Sequence, residues 1–202
     1  MVTNHGFNCY REYDRGDSEA LMATLTFEGN PIHTNGELPI IGRPCPPFTL
    51  TRTDLSEISS VDLEGQRVIL NIFPSLDTTI CAKGVRTFDA RASEVPNTVV
   101  LCVSQDLPFA QARFCKAEEI NDVMPVSTFR HPEFGADFGV TMVDGPLRGL
   151  LARALVVLDE NSTVVHTELV PELACEADYD TALDIIHNHH RPCAEDALLT
   201  SE

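Results

Sequence analysis

The stretch Val68-Ile69-Leu70-Asn71-Ile72-Phe73-Pro74-Ser75-Leu76-Asp77-Thr78-Thr79-Ile80-Cys81 decides how this chain is read. Its first six residues form a short apolar run, which predicts a buried strand over 68–73. The residues from Ala82 to Arg91 read as a helix. Cys81 therefore falls at a strand-to-helix turn, in the first helical turn, where unpaired backbone N–H groups and the helix dipole stabilise negative charge. A cysteine so placed is positioned to act as a nucleophile.

Upstream of that stretch, Thr24-Leu25-Thr26-Phe27 alternates, Gly29-Asn30-Pro31 signals a turn and Ile32-His33-Thr34 returns, which predicts a short hairpin. A loop rich in Pro and Gly over 38–47 leads to a strand at Phe48-Thr49-Leu50. Downstream, a helix over 79–94 precedes a strand at 98–103, a short helix at 109–115, a strand at 126–129 and a helical turn at 133–138. Strands at 153–158 and 164–168 flank the turn-like Asp159-Glu160-Asn161-Ser162 and are expected to pair. A closing helix from Tyr179 to His187 carries Ala182, Leu183, Ile185 and Ile186 on one side. Strands alternating with helices, then a hairpin and a last helix, predict a mixed α/β sandwich. One domain is expected over 23–188, with flexible tails at 1–22 and 189–202.

The 202 residues suffice for a sizeable core, and 43% hydrophobic content fits a soluble globular protein. With 31 acidic against 14 basic residues the net charge is -17. That charge repels phosphate backbones and anionic lipid, so neither nucleic acid nor membrane is expected as a partner. The polar, charged first residues do not read as a secretory leader, and a cytoplasmic location is expected. Seven cysteines at 9, 45, 81, 102, 115, 175 and 193 contain no C-x-x-C pair. This is neither a disulfide framework nor a zinc ribbon, and in a reducing compartment any disulfide would be transient and catalytic.

Pro74, Thr78 and Cys81 stand at the spacing P-x-x-x-T-x-x-C, which resembles the peroxiredoxin active-site pattern. Asn71-Ile72-Phe73-Pro74-Ser75, Asp106-Leu107-Pro108-Phe109-Ala110-Gln111, Arg113-Phe114-Cys115, Ser127-Thr128-Phe129-Arg130 and Asp144-Gly145-Pro146-Leu147 extend the likeness. On these residues the chain, from about Thr24 to Ile186, is similar to the bacterial thiol peroxidase subfamily of peroxiredoxins. The resemblance implies a thioredoxin-like fold: a central mixed sheet flanked by helices, with an N-terminal β-hairpin. It also implies reduction of hydrogen peroxide and organic hydroperoxides in antioxidant defence, thioredoxin as reductant, a homodimer, and no flavin, haem or metal.

The same resemblance assigns roles. Cys81 would attack the terminal peroxide oxygen and become a sulfenic acid. Cys115, 34 positions on, would be the resolving thiol that closes a disulfide with Cys81. Thr78 would hydrogen-bond the sulfur and the peroxide. Arg153 would supply positive charge to the developing oxyanion, and Pro74 would shield the sulfenic acid. Disulfide closure requires local unwinding near 79–84 and 109–115. Gly84 stands where the subfamily's serine is expected, and at about 1 kcal/mol against alanine it favours fraying there. Leu150, Leu151 and Phe109 hint at an apolar approach for organic peroxides. Cys102 reads as packing within a strand, while Cys9, Cys45, Cys175 and Cys193 have no catalytic context. The His187, His189, His190 and Cys193 set is not expected to hold a metal. A redox sensor using the same thiol switch is the alternative from another class.

Overall fold

The computed structural model describes residues 22–188. The elements in chain order are β1 (Thr24–Phe27), β2 (Asn30–His33), β3 (Thr49–Arg52), β4 (Glu57–Ser59), β5 (Arg67–Ile72), α1 (Thr79–Arg91), β6 (Thr98–Ser104), α2 (Pro108–Glu118), β7 (Met124–Ser127), α3 (Glu133–Asp137), β8 (Ala154–Leu158), β9 (Val164–Leu169) and α4 (Tyr179–Asn188). Among the described residues, seven strands form one sheet in the order β4-β3-β7-β6-β5-β8-β9, and β1-β2 form a separate hairpin. The expected mixed sheet, flanking helices and hairpin are all present. The expected tails, Met22 apart, and Cys9, His189, His190 and Cys193 lie outside the described residues.

All six residues of β5 are buried because the strand pairs on both sides and is covered on both faces. It runs parallel to β6 and antiparallel to β8. Period-two alternation divides its side chains. Val68, Leu70 and Ile72 point into a layer with Phe48, Phe134 and Phe138, while Ile69 and the following Phe73 point into a layer with Cys81, Val85, Phe88, Tyr179 and Leu183. β6 and β8 obey the same rule: Cys102, Leu155 and Val157 share the α1–α4 side, and Leu101, Val103 and Val156 share the other. The parallel β5–α1–β6 and β6–α2–β7 units lead the chain from the carboxyl ends of β5 and β6 into α1 and α2. Cys81 and Cys115 lie on these two helices.

The hairpin turns at Glu28 (φ 52°) and Gly29 (φ 76°), a two-residue left-handed turn that matches strand twist. Asn30 and Pro31, expected in the turn, instead belong to β2, where Pro31 is tolerated because β2 is an edge. Leu25 and Ile32 pack on Met142, Ala152 and Leu173. The Thr26 N–H donates to the Pro171 carbonyl at 2.8 Å, and the Leu173 N–H donates back to Thr26 at 2.9 Å. Glu172 completes the joint, its carboxylate accepting from the Thr26 hydroxyl (2.8 Å) and from the N–H groups of Glu28 (3.1 Å), Gly29 (3.1 Å) and Ala174 (3.0 Å).

Other bounds shift for local reasons. β4 and the 3₁₀ turn Ser60–Leu63 were not expected, since three strand residues are too few to display a period. α1 closes at Arg91 and continues as a 3₁₀ turn to Glu94. β7 is shifted toward the N-terminus, so Phe129 lies beyond it, where its N–H meets the Ser127 hydroxyl at 3.2 Å. Arg153 precedes β8 rather than opening it.

The backbone N–H groups of Ala174 and Gly29, followed by the Thr26 hydroxyl, pull the Glu172 carboxyl from 4.5 down to about 2. The folded-state value lies below the ordinary one. The joint is therefore at full strength above pH 4.5 and is lost as pH falls through about 2. Amide protection factors at Glu28, Gly29 and Ala174, measured by NMR, are expected to be flat above that window and to collapse within it, ahead of the β5–β6 amides.

Candidate active site at the start of α1

Thr78 is the N-cap residue of α1, with extended backbone (φ -101°, ψ 141°), and the Ala82 N–H closes the first helical bond on its carbonyl at 3.0 Å. The N–H groups of residues 79–81 precede any intrahelical acceptor, so partial positive charge gathers around Cys81. Its side chain is 1% exposed. The loop before the helix is held by Asp106, whose carboxylate accepts from the Ser75 hydroxyl (2.7 Å), the Leu76 N–H (2.7 Å) and the Ser104 hydroxyl (2.8 Å). The Ser127 hydroxyl in turn donates to the Asp106 carbonyl at 2.6 Å.

Arg153 brings positive charge to the sulfur. Its Nη1 donates to Cys81 Sγ at 3.5 Å and its Nη2 to the Leu173 carbonyl at 3.1 Å. The side chain is 4% exposed, and its buried Nε meets no acceptor among the described residues. A guanidinium so enclosed acts through a low-dielectric surrounding, where its field on nearby charge is strong.

Pro74 is buried, two residues beyond the end of β5. The Thr78 side chain is exposed, and in this resting arrangement its hydroxyl donates to the Ser75 carbonyl at 3.1 Å rather than to the sulfur. It does not cap the helix through its side chain either. Cys115 is half-buried in the last turn of α2, packed against the same core layer as Cys81. Its carbonyl accepts the N–H of Glu119, which has left-handed backbone (φ 55°), and that of Ile120 at 3.0 Å. Burial, then the Asp89 carboxylate, push the Cys115 thiol up. The two cysteines thus sit at opposite poles of their helices.

The remaining described cysteines separate by environment. Burial pushes Cys45 and Cys102 up to about 12, which leaves both as neutral thiols; Cys102 also accepts from Asn71 Nδ2 at 3.7 Å. Cys175 is exposed. Among the described residues no group of three His, Cys, Asp or Glu could hold a metal ion. Leu151, expected to line a substrate approach, is 1% exposed and belongs to the core, because the turn before β8 folds it inward.

Three contributors escaped the sequence reading. In sequence, Asp106 stands out only within the family resemblance, Tyr179 only as the start of a helix, and Glu172 not at all. Tyr179 packs edge-on against Phe88 at 5.2 Å between ring centroids, and burial raises its phenol, with Arg153 opposing. A Cβ at Gly84 would meet that phenol oxygen at 2.6 Å. The glycine therefore makes room for a tyrosine as well as loosening the helix.

The redoxin family pattern matches residues 41–183. A thiol peroxidase of Mycobacterium tuberculosis is 57% identical over 162 residues, covering 80% of this chain and 97% of that protein. A thiol peroxidase of Corynebacterium glutamicum is 51% identical over 162 residues, covering 80% and 98%. Among solved structures, a peroxiredoxin-like protein from Aquifex aeolicus superposes with a TM-score of 0.78 at 32% identity, over 83% of this chain and 98% of its own.

Overpacking at Gly84 is expected to outweigh the helix propensity it gains. Gly84→Ala should destabilise the chain by up to about 2 kcal/mol, the balance of a steric cost of about 1–3 kcal/mol and a gain near 1 kcal/mol. In a Tyr179→Phe background the same substitution should be neutral or stabilising. Urea denaturation of the four members of that cycle measures the difference.

Proposed function

The chain belongs to the redoxin family, and within it to the thiol peroxidases; from that premise we propose that Cys81 is the peroxidatic thiol of a peroxide reductase and Cys115 its resolving partner. The observation that carries this reading is the Arg153 Nη1 to Cys81 Sγ contact of 3.5 Å at the N-terminal turn of a helix.

The Cys81 sulfur, as thiolate, attacks the terminal oxygen of the hydroperoxide. The S–O bond forms as the O–O bond breaks, and the leaving alkoxide or hydroxide takes a proton to become alcohol or water. Arg153 offers N–H groups and charge to the oxygens as negative charge passes onto them. The Thr78 hydroxyl, on the exposed side, exchanges the Ser75 carbonyl for peroxide and so orients it. Pro74, buried beside this turn, offers no N–H to compete for the bound oxygen.

Cys115 then attacks the Cys81 sulfenic acid, forming the disulfide and releasing water. The peroxide has gained two electrons and the two thiols have lost them. A disulfide needs Cα atoms about 4.4–6.8 Å apart, and the sequence positions place the two cysteines on different helices. The start of α1 over 79–84 and α2 over 109–115 unwind to close the gap; both stretches begin in a first helical turn, whose N–H groups have no intrahelical acceptor. Leaving its pocket frees Cys115 from the burial that keeps it protonated, so attack follows motion. Thioredoxin, acting in the cytoplasm, returns the disulfide to thiols.

Leu107 (52% exposed), Phe109 (66%) and Phe129 (40%) each lie within three positions of Asp106 or Ser127, the two residues that a hydroxyl-to-carbonyl bond joins. They support a homodimer contact and an apolar approach for organic peroxides, for which light scattering is the check on assembly. No helix among the described residues is long and apolar enough to cross a membrane.

One equivalent of cumene hydroperoxide followed by peptide mass spectrometry is expected to yield a Cys81–Cys115 linkage. Cys115→Ser should stop at the Cys81 sulfenic acid, and Cys81→Ser should abolish NADPH oxidation coupled through thioredoxin reductase and thioredoxin. Arg153→Ala should slow Cys81 oxidation by roughly 10²-fold, the usual cost of removing a donor to developing charge. Linkage of Cys81 to another cysteine overturns the resolving assignment.

A further inference from the structure

Arg153 has three places from which its planar fork could be oriented, and the protein uses few of them. Nη1 faces the sulfur, Nε has no acceptor among the described residues, and Nη2 alone reaches a fixed oxygen, the Leu173 carbonyl at 3.1 Å. The tilt of the guanidinium therefore depends on where one peptide group sits. That peptide belongs to a connection after β9 rather than to the sheet. It is fixed from outside: its own N–H, that of Ala174, donates to the Glu172 carboxylate, which is anchored in turn on Thr26, Glu28 and Gly29 of the hairpin, and the neighbouring Leu173 N–H donates to Thr26 of β1. The Leu173 side chain is buried against Leu25 and Ile32 of the hairpin.

We propose that the N-terminal hairpin β1–β2 is a positioning element for the reaction, and that Glu172 is its positioning residue, holding the Leu173 carbonyl so that Arg153 presents Nη1 to the Cys81 sulfur. This rests on Cys81 being the peroxidatic thiol. The hairpin adds no strand to the main sheet and meets the surroundings of the site through this connection and through Leu25 and Ile32 packed on Met142, Ala152 and Leu173, a placement suited to a brace. Four hydrogen bonds converge on one half-exposed carboxylate, with Leu173 beside it pinned on its N–H side by the hairpin and on its carbonyl side by Arg153. Release of Glu172 lets the carbonyl drift, and a guanidinium with no other fixed acceptor among the described residues follows it.

The test is the rate of Cys81 oxidation by cumene hydroperoxide, followed by rapid-quench alkylation and mass spectrometry, in the full chain and in Glu172→Ala, Arg153→Lys and the double variant. Glu172→Ala is expected to slow oxidation about tenfold in the wild-type background and by less than twofold in the Arg153→Lys background, because the residue it positions has already been changed. Closure of the Cys81–Cys115 disulfide from the sulfenic acid should keep its rate. Glu172→Gln, which places an amide nitrogen against donors that need an acceptor, should fall between, and it carries the same comparison where Glu172→Ala does not fold. Oxidation within twofold of wild type in Glu172→Ala, or the same loss in both backgrounds, overturns the inference while leaving Cys81 in its role. A wild-type chain whose Cys81 stays a thiol under peroxide overturns the proposed function and this inference together.

Discussion

A guanidinium enclosed at 4% exposure, with a sulfur on one side and a single carbonyl on the other, is the constraint around which this molecule is arranged. Removing a charge from water costs several kcal/mol unless it is paired and hydrogen-bonded. Much of the structure nearby serves that pairing. The β5 run is buried on both faces and leads through the 73–78 loop into α1; Arg153 stands just before β8, the strand beside β5; the hairpin fixes the connection whose carbonyl completes the cation's environment. Each is ordinary on its own, and together they hold a positive group and a sulfur in contact inside a largely apolar layer.

The poles of the two cysteine helices give the proposed reaction its order. Cys81 lies where N–H groups point outward, whereas Cys115 lies where carbonyls do, with the Asp89 carboxylate adding to burial in keeping its proton on. Helix dipoles act within their end turns, so the same backbone physics treats the two thiols oppositely. The polarity suits a first sulfur that meets peroxide at once and a second that becomes a nucleophile only after movement.

Much of this was legible before any coordinates, and the limits are physical. β5, β6, β8 and β9 carry period-two or uninterrupted apolar runs, and α4 carries its apolar side at helical spacing; such patterns record burial directly. β4 has three residues and no room for a period. The hairpin turn was misplaced by one residue because Gly29 and Pro31 both punctuate, and only backbone geometry tells which of them bends. Within the site, Cys81 and Arg153 lie 72 positions apart and became associated on paper only through a family resemblance. Asp106 and Glu172 accept from backbone N–H and hydroxyl groups mostly distant in sequence, and Tyr179 fills the space a glycine leaves; none of these interactions leaves a trace in local sequence.

Asp106 has one more consequence. Its side chain ties down Ser75 and Leu76 ahead of the Cys81 helix, while its own backbone stands just before the N-cap of the Cys115 helix. One residue is thus a common hinge pin for two doors. If both helices must move for the disulfide to close, they do not swing independently, and stiffness at this pin governs how long an oxidised sulfur waits for its partner. That waiting time, in competition with a second molecule of peroxide, sets how many cycles the protein completes before it is lost to irreversible oxidation.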